Sequence, residues 1–356
     1  MRLGIIGLPQ SGKTTIFNAL TRGHQPTSMS GMRFDVHTGV VDVPDERVDR
    51  LSKLFHPQKT IYAKVTYADI AGLEGASDRS GNSGQLLNQL NQMEGFVHVV
   101  RCFENASVPH PAGSVDPQRD ITVMDSELLL NDLIAVERKQ ERLVDERKKG
   151  GGRDRAIIDR ETNIFDRLQA TLADGKPLRD IEISPEEEKI LSGFGFLTRK
   201  PLLLILNLAD SQTPPEIRYL HQSSMVVPLQ GKLEMDLAQL PEEDAQMFMG
   251  EYGIEELGLH RVIRLSYDLM GLQSFFTVGE DEVRAWTIHR GTPAVEAAGV
   301  IHTDLQKGFI RAEVVTYQDL VNLGGLAEAR QKGKLRLEGK EYVVQDGEIV
   351  HIRFNL

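Results

Sequence analysis

The segment Gly7–Thr14, with the sequence GLPQSGKT, is the feature that most restricts how this chain can fold. It matches the phosphate-binding loop pattern Gly-x4-Gly-Lys-Ser/Thr at every fixed position. An apolar run, Arg2–Ile6, precedes it and an amphipathic run, Thr15–Leu20, follows it, which predicts a strand, a loop and a helix. A Gly-rich turn can match the pattern by chance, but this context favours a functional loop. The segment therefore predicts an α/β domain with a parallel-rich sheet and a phosphate site.

Each part of the loop has a chemical task in this interpretation. Glycines let successive backbone N–H groups turn toward one concave surface, where they can hold phosphate oxygens. Lys13 supplies a positive charge for the β- and γ-phosphates, and the hydroxyl of Thr14 is suited to ligate Mg²⁺. The positive end of the next helix favours the same anion. The residues predicted to contact a nucleotide here are Leu8, Pro9, Gln10, Ser11, Gly12, Lys13, Thr14 and Thr15.

A second motif, Asp69-Ile70-Ala71-Gly72, follows the apolar run Ile61–Ala68, which predicts a strand. Asp69 is expected to hold the metal through water, and Gly72 lets the backbone approach the terminal phosphate. Asp and Gly are also common in turns, so the position of the motif, one strand after the phosphate loop, supports the interpretation. The candidate metal ligands are Thr14 and Asp69. The candidate catalytic residues are Lys13, Thr14, Asp69 and Gly72.

The residue after this motif is Leu73, at the place where many GTPases have a Gln that orients the attacking water. An aliphatic side chain cannot orient water, so hydrolysis has to use another group. The nearby Ser77, Asp78 and Arg79 are candidates, although polar loop residues more often only face solvent.

A third motif, Asn207-Leu208-Ala209-Asp210, directly follows the apolar run Leu202–Leu206. GTPases commonly have Asn-Lys-x-Asp here, with the Asp bound to guanine and the Lys packed on the base. Leu208 stands in place of that Lys, and a simple Asn/Asp turn is the alternative interpretation. The residues that this motif predicts to frame the base are Asn207, Leu208 and Asp210. Gln230 and Gly231 are added to this predicted set only by the family resemblance given below, because they stand where that family has a run beside the base.

The composition changes between Ser126 and Leu172, where 20 of 47 residues are charged. Apolar residues recur there at helical spacing on both sides of Gly150-Gly151-Gly152, which predicts an antiparallel helical hairpin. The tip of this hairpin, Arg147–Arg155, contains five basic residues and one acidic residue. Contact with RNA phosphates and a solvated helix end are both open interpretations.

Sheet-like runs resume near Arg199, and a small mixed α+β module begins near Gln273. In this module Asp346-Gly347 predicts a β-hairpin between Tyr342–Gln345 and Glu348–Phe354. The predicted domains are a P-loop domain at 1–125 and 199–272, an inserted helical coiled-coil domain at 126–198, and a C-terminal domain at 273–356.

Charge and composition restrict the partners. The chain has 41 Lys and Arg against 52 Asp and Glu, a net charge of −11, which argues against coating nucleic acid or a membrane by overall charge. The single cysteine, Cys102, excludes an internal disulfide framework. No apolar run approaches the roughly 18 residues of a membrane span, and the N-terminus does not resemble a signal peptide. A cytoplasmic protein without a membrane partner is expected, as a monomer or a weak dimer.

These motifs belong to longer runs that resemble the Obg-like ATPase (YchF) family of translation-factor-class P-loop NTPases. The runs are Asp69–Leu73, His98–Asn105, Val115–Pro117, Phe276–Gly279, Glu282–Ile288, Ala298–Asp304, Gly308–Val314 and Tyr342–Gly347. The resemblance implies a nucleotide-binding domain, an inserted coiled-coil domain and a C-terminal TGS domain with a ubiquitin-like β-grasp fold. It also implies ATP favoured over GTP, Mg²⁺ dependence, slow hydrolysis and association with the large ribosomal subunit. A hydrophobic residue in place of the catalytic Gln is a family trait, matched by Leu73.

The chain departs from the family pattern at positions that bear on activity. Gln10 stands where the family usually has an Asn that is associated with potassium coordination in related NTPases, so the resemblance does not extend to potassium. In the switch segment Ser30–Asp35, Arg33 lies near the usual place of a Thr that is available to the metal. We therefore expect a divergent member whose hydrolysis is weaker or differently regulated.

The preferred hypothesis is an enzyme that hydrolyses ATP slowly to the diphosphate with Mg²⁺ and acts as a ribosome-associated regulatory switch. Two alternatives stay open. One is an RNA- or ribosome-binding adaptor that uses the nucleotide as a ligand with negligible hydrolysis, and the other is a GTPase.

Overall fold

The computed structural model describes residues 1–25, 36–70, 83–149, 152–252, 254 and 256–355. They form two compact units. The first unit contains Met1–Gly39 and Thr66–Leu259, and the second contains Val40–Val65 and His260–Leu356.

The regular elements are numbered in chain order. The strands are β1 (Arg2–Ile6), β2 (His37–Asp42), β3 (Lys59–Ile61), β4 (Lys64–Asp69), β5 (Gly95–Arg101), β6 (Leu202–Asn207), β7 (Ser224–Leu229), β8 (Leu272–Val278), β9 (Glu282–His289), β10 (Phe309–Thr316), β11 (Arg336–Glu338) and β12 (Glu348–Phe354). The helices are α1 (Lys13–Thr21), α2 (Glu46–Phe55), α3 (Ser83–Asn91), α4 (Pro117–Lys149), α5 (Arg155–Ala173), α6 (Pro185–Leu191), α7 (Gly231–Gln239), α8 (Glu242–Tyr252), α9 (Gly258–Leu269), α10 (Ala294–Ile301), α11 (Thr303–Lys307), α12 (Tyr317–Leu323) and α13 (Leu326–Gln331).

The sheet of the first unit has the strand order β2-β4-β1-β5-β6-β7. Strand β1 pairs in parallel with β4 and β5, and β6 pairs in parallel with β5 and β7. Every residue of β5 and β6 is buried, as expected for central strands covered by helices on both faces. The predicted α/β class with a parallel-rich sheet is confirmed. The order reverses beside β1, and folds of this kind bind ligands at the carboxyl ends of the strands that flank such a point, here β1 and β5.

Helices α4 and α5 form the predicted hairpin. Their facing sides share one apolar cluster, in which Val136 and Leu143 of α4 pack with Ile158, Phe165 and Leu168 of α5. Helix α4 begins at Pro117 rather than near 126, because the Asp116 carboxylate accepts from the Arg119 N–H at 3.0 Å as a cap, and Pro is well tolerated at the first helical position. Across the described ranges, no helix is both long and apolar enough to span a membrane.

The second unit contains a mixed sheet with the order β11-β10-β12-β8-β9-β3. Strand β12 pairs in parallel with β8 and antiparallel with β10, and β9 pairs antiparallel with β8. Helix α10 packs its alanines against an apolar cluster on one face of this sheet. Strand β3, which comes from a distant part of the chain, adds to the sheet in parallel with β9.

Two sequence predictions are wrong in this region. The Asp346-Gly347 turn does not join two paired strands, because β12 already pairs with β10 on one edge and β8 on the other. The segment Tyr342–Gln345 instead makes a single bridge, from Val343 to Pro293. The predicted strand Ile61–Ala68 is also divided, since β3 and β4 belong to different sheets.

Asp132 ties α4 to the segment before β6. It is buried, and its carboxylate accepts hydrogen bonds from the backbone N–H groups of Leu197 and Thr198, at 2.8 Å each, and from the Thr198 hydroxyl at 2.6 Å. Burial raises the pKa of Asp132 to about 6, against the opposing effect of these donors. At higher pH the carboxylate is therefore charged and accepts all three.

We expect Asp132→Asn to lower the free energy of unfolding by about 2 to 4 kcal/mol, because an amide nitrogen cannot accept from Thr198 and leaves buried donors without a partner. Urea unfolding above neutral pH measures this, with Glu137→Gln, an exposed position on the same helix, as the matched control. Equal stability of the two variants would contradict the role given to Asp132.

Candidate functional site

The loop between β1 and α1 lies at the carboxyl end of β1, where the sheet order reverses. Gly12 has a φ of 96°, and a Cβ atom there would lie 2.2 Å from Nδ2 of Asn207, so a side chain is excluded. Gly12 is also the N-cap of α1 and provides no side-chain cap. Gly12 therefore has no side chain that could occupy the first N–H groups of α1. Backbone N–H groups at a helix N-terminus are the groups that bind anions in other proteins.

The ammonium group of Lys13 lies against the start of the same loop. Its Nζ donates to the carbonyl oxygens of Gly7 and Leu8, at 2.9 Å each. These bonds hold the positive charge over the loop, beside the N-terminus of α1. The loop thus combines an ammonium group with a helix N-terminus, both of which favour phosphate.

Thr14 and Asp69 meet beside this loop. The register Ile5↔Asp69 places the end of β4 next to β1, and the Thr14 hydroxyl donates to Oδ2 of Asp69 at 2.9 Å. Asp69 is only 7% exposed, and burial raises its pKa, while the Thr14 hydrogen bond and the charge of Lys13 act in the opposite direction. A desolvated carboxylate beside a hydroxyl fits Mg²⁺, which prefers hard oxygen ligands. No group of three or more His, Cys, Asp or Glu side chains suited to a metal occurs among the described residues, so phosphate and water oxygens would complete such a site.

Asn207 joins the phosphate loop to the loop after β7. It ends β6, is 3% exposed, donates from Nδ2 to the Ser11 carbonyl at 2.9 Å and accepts at Oδ1 from the Gly231 N–H at 3.2 Å. One amide therefore satisfies two backbone groups from different loops. The sequence pattern assigned Asn207 to the base, whereas the structure gives its side chain this bridging contact.

The other residues of the predicted site are placed as follows. Leu208 is 5% exposed and packs in the core cluster of the sheet, whereas Asp210 is exposed. Gln230 is half-buried and directly precedes α7. Base contacts by these residues stay predictions. The remaining predicted contacts of the phosphate loop that are half-buried in the structure are Leu8, Pro9, Gln10 and Thr15.

Part of the prediction concerns residues that the structure does not describe. Gly72, Leu73 and the segment Ser30–Asp35 lie outside the described residues, as do the candidate water-positioning residues 77–79. The catalytic role of Gly72 and the effect of Arg33 therefore stay predictions.

Two buried polar side chains on β5 were not singled out from the sequence. His98 is opposite Ile6 in the register, and burial together with the charge of Lys13 lowers its pKa to about 3, so the ring is neutral. Arg101 is 1% exposed and donates from Nε to the Phe103 carbonyl at 3.0 Å and from Nη2 to the Val108 carbonyl at 2.7 Å. The sequence does contain a sign of these buried polar side chains, because a His and an Arg interrupt an otherwise apolar strand.

The sheet topology, the loop, the lysine and the Thr14–Asp69 pair together define a P-loop nucleoside-triphosphatase. A family model described as a 50S ribosome-binding GTPase matches residues 2–143, and the YchF-GTPase C-terminal model, described as a protein of unknown function, matches residues 272–355.

Full-length relatives agree with these matches. The Ribosome-binding ATPase YchF of Bacillus subtilis (strain 168) is 40% identical over 365 residues, with 99% of each chain covered. The protein of that name from Escherichia coli O157:H7 is 40% identical over 364 residues, covering 100% of this chain and 99% of the relative. A solved structure, the Schizosaccharomyces pombe YchF GTPase, superimposes with a TM-score of 0.82 at 29% identity and covers 99% of this chain and 97% of its own. The chain belongs to the YchF family.

We expect Asn207→Ala and Asn207→Asp to weaken nucleotide binding by about tenfold or more, because each loses the donor to Ser11 and leaves a buried carbonyl without its partner. Asn207→Asp keeps an acceptor for the Gly231 N–H, so it isolates the contribution of the donor. Isothermal calorimetry measures the affinity.

The control is Glu216→Gln, at an exposed position in the connection between β6 and β7. This variant should bind nucleotide like the unmodified protein. Unchanged affinity in both Asn207 variants would show that the bridge does not support the phosphate loop.

Proposed function

We propose that this protein is a Mg²⁺-dependent nucleoside triphosphatase of the cytoplasm that hydrolyses ATP slowly to the diphosphate and acts as a ribosome-associated switch. The observation that carries the proposal is the convergence of Lys13, Thr14 and Asp69 at the uncapped N-terminus of α1. The full-length relatives that are named as ribosome-binding ATPases support the same activity and partner.

The side chains of this site act by binding and by charge. Lys13 would exchange its contacts with the Gly7 and Leu8 carbonyls for phosphate oxygens and neutralise charge on the β- and γ-phosphates. Backbone N–H groups of the loop would hold the same oxygens in a fixed orientation. Once the triphosphate is bound, both contributions would be in place before cleavage, so the chemical step itself would need little reorganisation.

Thr14 and Asp69 would hold the metal, with Thr14 as a direct ligand and Asp69 acting through water. When bound, Mg²⁺ supplies positive charge that stabilises the phosphate oxygens during cleavage. Asp69 already lies within hydrogen-bond distance of Thr14, so the two oxygens that the site offers are adjacent. The raised pKa of Asp69 reflects burial, and a divalent cation would favour its ionised form.

ATP is the preferred substrate because the position of the base-packing lysine is taken by Leu208, whose side chain is buried in the core and carries no charge. GTP is the second candidate because Asp210 is exposed at the end of the motif, where an Asp can accept from guanine. The name of the fission yeast protein, a GTPase, supports this second candidate.

Competition between ATP and GTP for one labelled nucleotide tests the substrate. We expect ATP to displace the label at lower concentration than GTP. Stronger displacement by GTP would replace the ATPase proposal by a GTPase, and displacement by neither would overturn both.

The ribosomal partner is proposed to be the large subunit, with the hairpin tip as an RNA contact. At this tip Arg153 pairs with Glu146 and Glu161, so its charge is compensated. Lys148, Lys149 and Arg155 are exposed and have no ion pair within the described ranges, which makes them available to phosphates. Single-turnover hydrolysis with and without large ribosomal subunits separates a stimulated enzyme from a nucleotide-bound adaptor, which would show no stimulation.

We expect Lys13→Ala to weaken nucleotide binding by about a hundredfold or more, because the charge-assisted contacts to phosphate are lost. Calorimetric titration with ATP measures the loss. Lys189→Ala, which removes an exposed lysine on α6, should leave binding unchanged. Binding by the Lys13 variant at unmodified strength would contradict the assignment of the phosphate site.

We expect Thr14→Val to raise the Mg²⁺ concentration needed for half-maximal hydrolysis by about tenfold or more, since the variant keeps the shape of the side chain and loses its oxygen. A Mg²⁺ titration of single-turnover rates measures this change. The control Thr122→Val, on the exposed face of α4, should titrate normally, and a normal titration of the Thr14 variant would remove Thr14 from the metal site.

A further inference from the structure

The path of the chain connects the phosphate site to the second unit through one continuous segment. The segment Val40–Val65 belongs to the compact unit that contains His260–Leu356, although the residues on both sides of it belong to the nucleotide-binding unit. The chain returns from this segment within β4, the strand that ends at Asp69. Asp69 therefore lies on the strand by which the chain leaves a segment that is built into another unit.

Backbone pairing anchors this segment in the second unit. Strand β3 is in register with β9, with Lys59 opposite Glu282 and Ile61 opposite Arg284. The N–H groups of Gln58 and Lys59 also donate to the carbonyls of Glu280 and Asp281, at 3.0 and 3.1 Å. Because β3 is an integral edge strand of the second sheet, it cannot shift without disturbing β9.

Helix α2 is anchored by Arg47. Asp45 caps the helix by accepting from the Arg47 N–H at 3.0 Å, and its carboxylate also accepts from Nε of the same residue at 2.9 Å. Nη1 of Arg47 donates to Oδ2 of Asp346 at 2.7 Å, and the guanidinium lies 5.1 Å from the centroid of the Phe276 ring. Arg47 thus joins the segment to the turn before β12 and to β8 by a charged and an aromatic contact.

Val48 and Leu51 add apolar anchoring, since both are fully buried in this unit. Together the strand pairing, the arginine contacts and these side chains leave the segment little freedom to absorb a displacement locally. A shift at the end of β4 would therefore be passed to β9 and β8 rather than lost in a loop.

We propose that the segment Val40–Val65 couples nucleotide occupancy of the phosphate site to the C-terminal unit, with Arg47 as the positioning residue that secures the coupling. The inference rests on the proposed function, because it requires that nucleotide and Mg²⁺ alter the contact between Thr14 and Asp69. Coupling of this kind is reciprocal, so a ligand that favours one state of the C-terminal unit changes nucleotide affinity by the same factor. The C-terminal unit is then a regulatory part of the triphosphatase.

The chain contains its own reporter for this coupling. Trp286 is the single tryptophan of the sequence and lies on β9. Its Nε1 donates to the Thr277 hydroxyl at 3.0 Å, and Cζ of Arg284 lies 3.9 Å from the centroid of its ring. Arg284 is the register partner of Ile61 on β3, so a shift of β3 changes the surroundings of the indole.

The test measures Trp286 fluorescence of the full-length chain while Mg²⁺-ATP and then Mg²⁺-ADP are added, with binding followed in parallel by calorimetry. We expect a saturable change that follows the binding curve and differs between the two nucleotides. Binding without any fluorescence change would overturn the coupling and leave the proposed function intact. Absence of binding would overturn the proposed function and with it this inference.

Variants then assign the coupling to Arg47. We expect Arg47→Ala to keep nucleotide binding but lose most of the fluorescence change, and Arg47→Lys to recover only part of it because a point charge cannot replace the forked contacts. Asp346→Asn weakens the same contact from the other side and should have the same effect, which keeps the test valid if Arg47→Ala is unstable. Arg50→Ala, at an exposed position on α2, should respond like the unmodified protein. A full response in the Arg47 and Asp346 variants would overturn the role of Arg47.

Discussion

The side-chain amide of Asn207 is the interaction on which the arrangement of the phosphate site depends. Loops at the carboxyl ends of parallel strands have no regular hydrogen bonds between them, so side chains set their relative position, here between loops whose strands β1 and β7 are separated by β5 and β6. Asn207 donates to the Ser11 carbonyl and accepts from the Gly231 N–H, which joins the loops after β1 and β7. An amide is suited to this position because it offers a donor and an acceptor in one plane. The close approach of the Asn207 amide to the loop also explains why residue 12 is a glycine, since a Cβ atom there would collide with Nδ2 of Asn207.

The local charge at the phosphate loop is opposite in sign to the net charge of the chain. The sequence carries a net charge of −11, yet the loop combines the Lys13 ammonium with the positive end of α1. Asp69 is the buried carboxylate beside them and is suited to a cation. His98 stays neutral because burial and Lys13 both lower its pKa, so its ring adds no second positive charge behind the loop. The site thus places its positive groups beside one buried carboxylate, which is consistent with the proposed binding of a phosphate together with a divalent cation.

The sequence predicted those features of the fold that are determined by residues adjacent in the chain, and it failed where pairing between distant strands decides the structure. The elements around the phosphate loop were predicted well, because β1, the glycines and α1 are determined by residues next to one another. The Asp346-Gly347 hairpin was predicted from a local turn signal, which the pairing of β12 with β8 and β10 overrides. The division of Ile61–Ala68 into β3 and β4 had no local signal, since both parts are apolar and only their partners differ.

Within the site the same distinction holds. Residue types point to Lys13, Thr14 and Asp69, because their chemistry matches phosphate and Mg²⁺. The structure brings these side chains together, and their roles in binding stay predictions. The bridging contact of Asn207 and the burial of Leu208 could not be read from the motif, because both depend on neighbouring strands.

A crystal structure of the protein with Mg²⁺ and a non-hydrolysable ATP analogue tests the central claim most directly. The account predicts phosphate oxygens on the backbone N–H groups of the loop and on Nζ of Lys13, with the metal bound to the Thr14 hydroxyl and Asp69 beside it. A triphosphate bound elsewhere, with Lys13 still held by the Gly7 and Leu8 carbonyls, would contradict it.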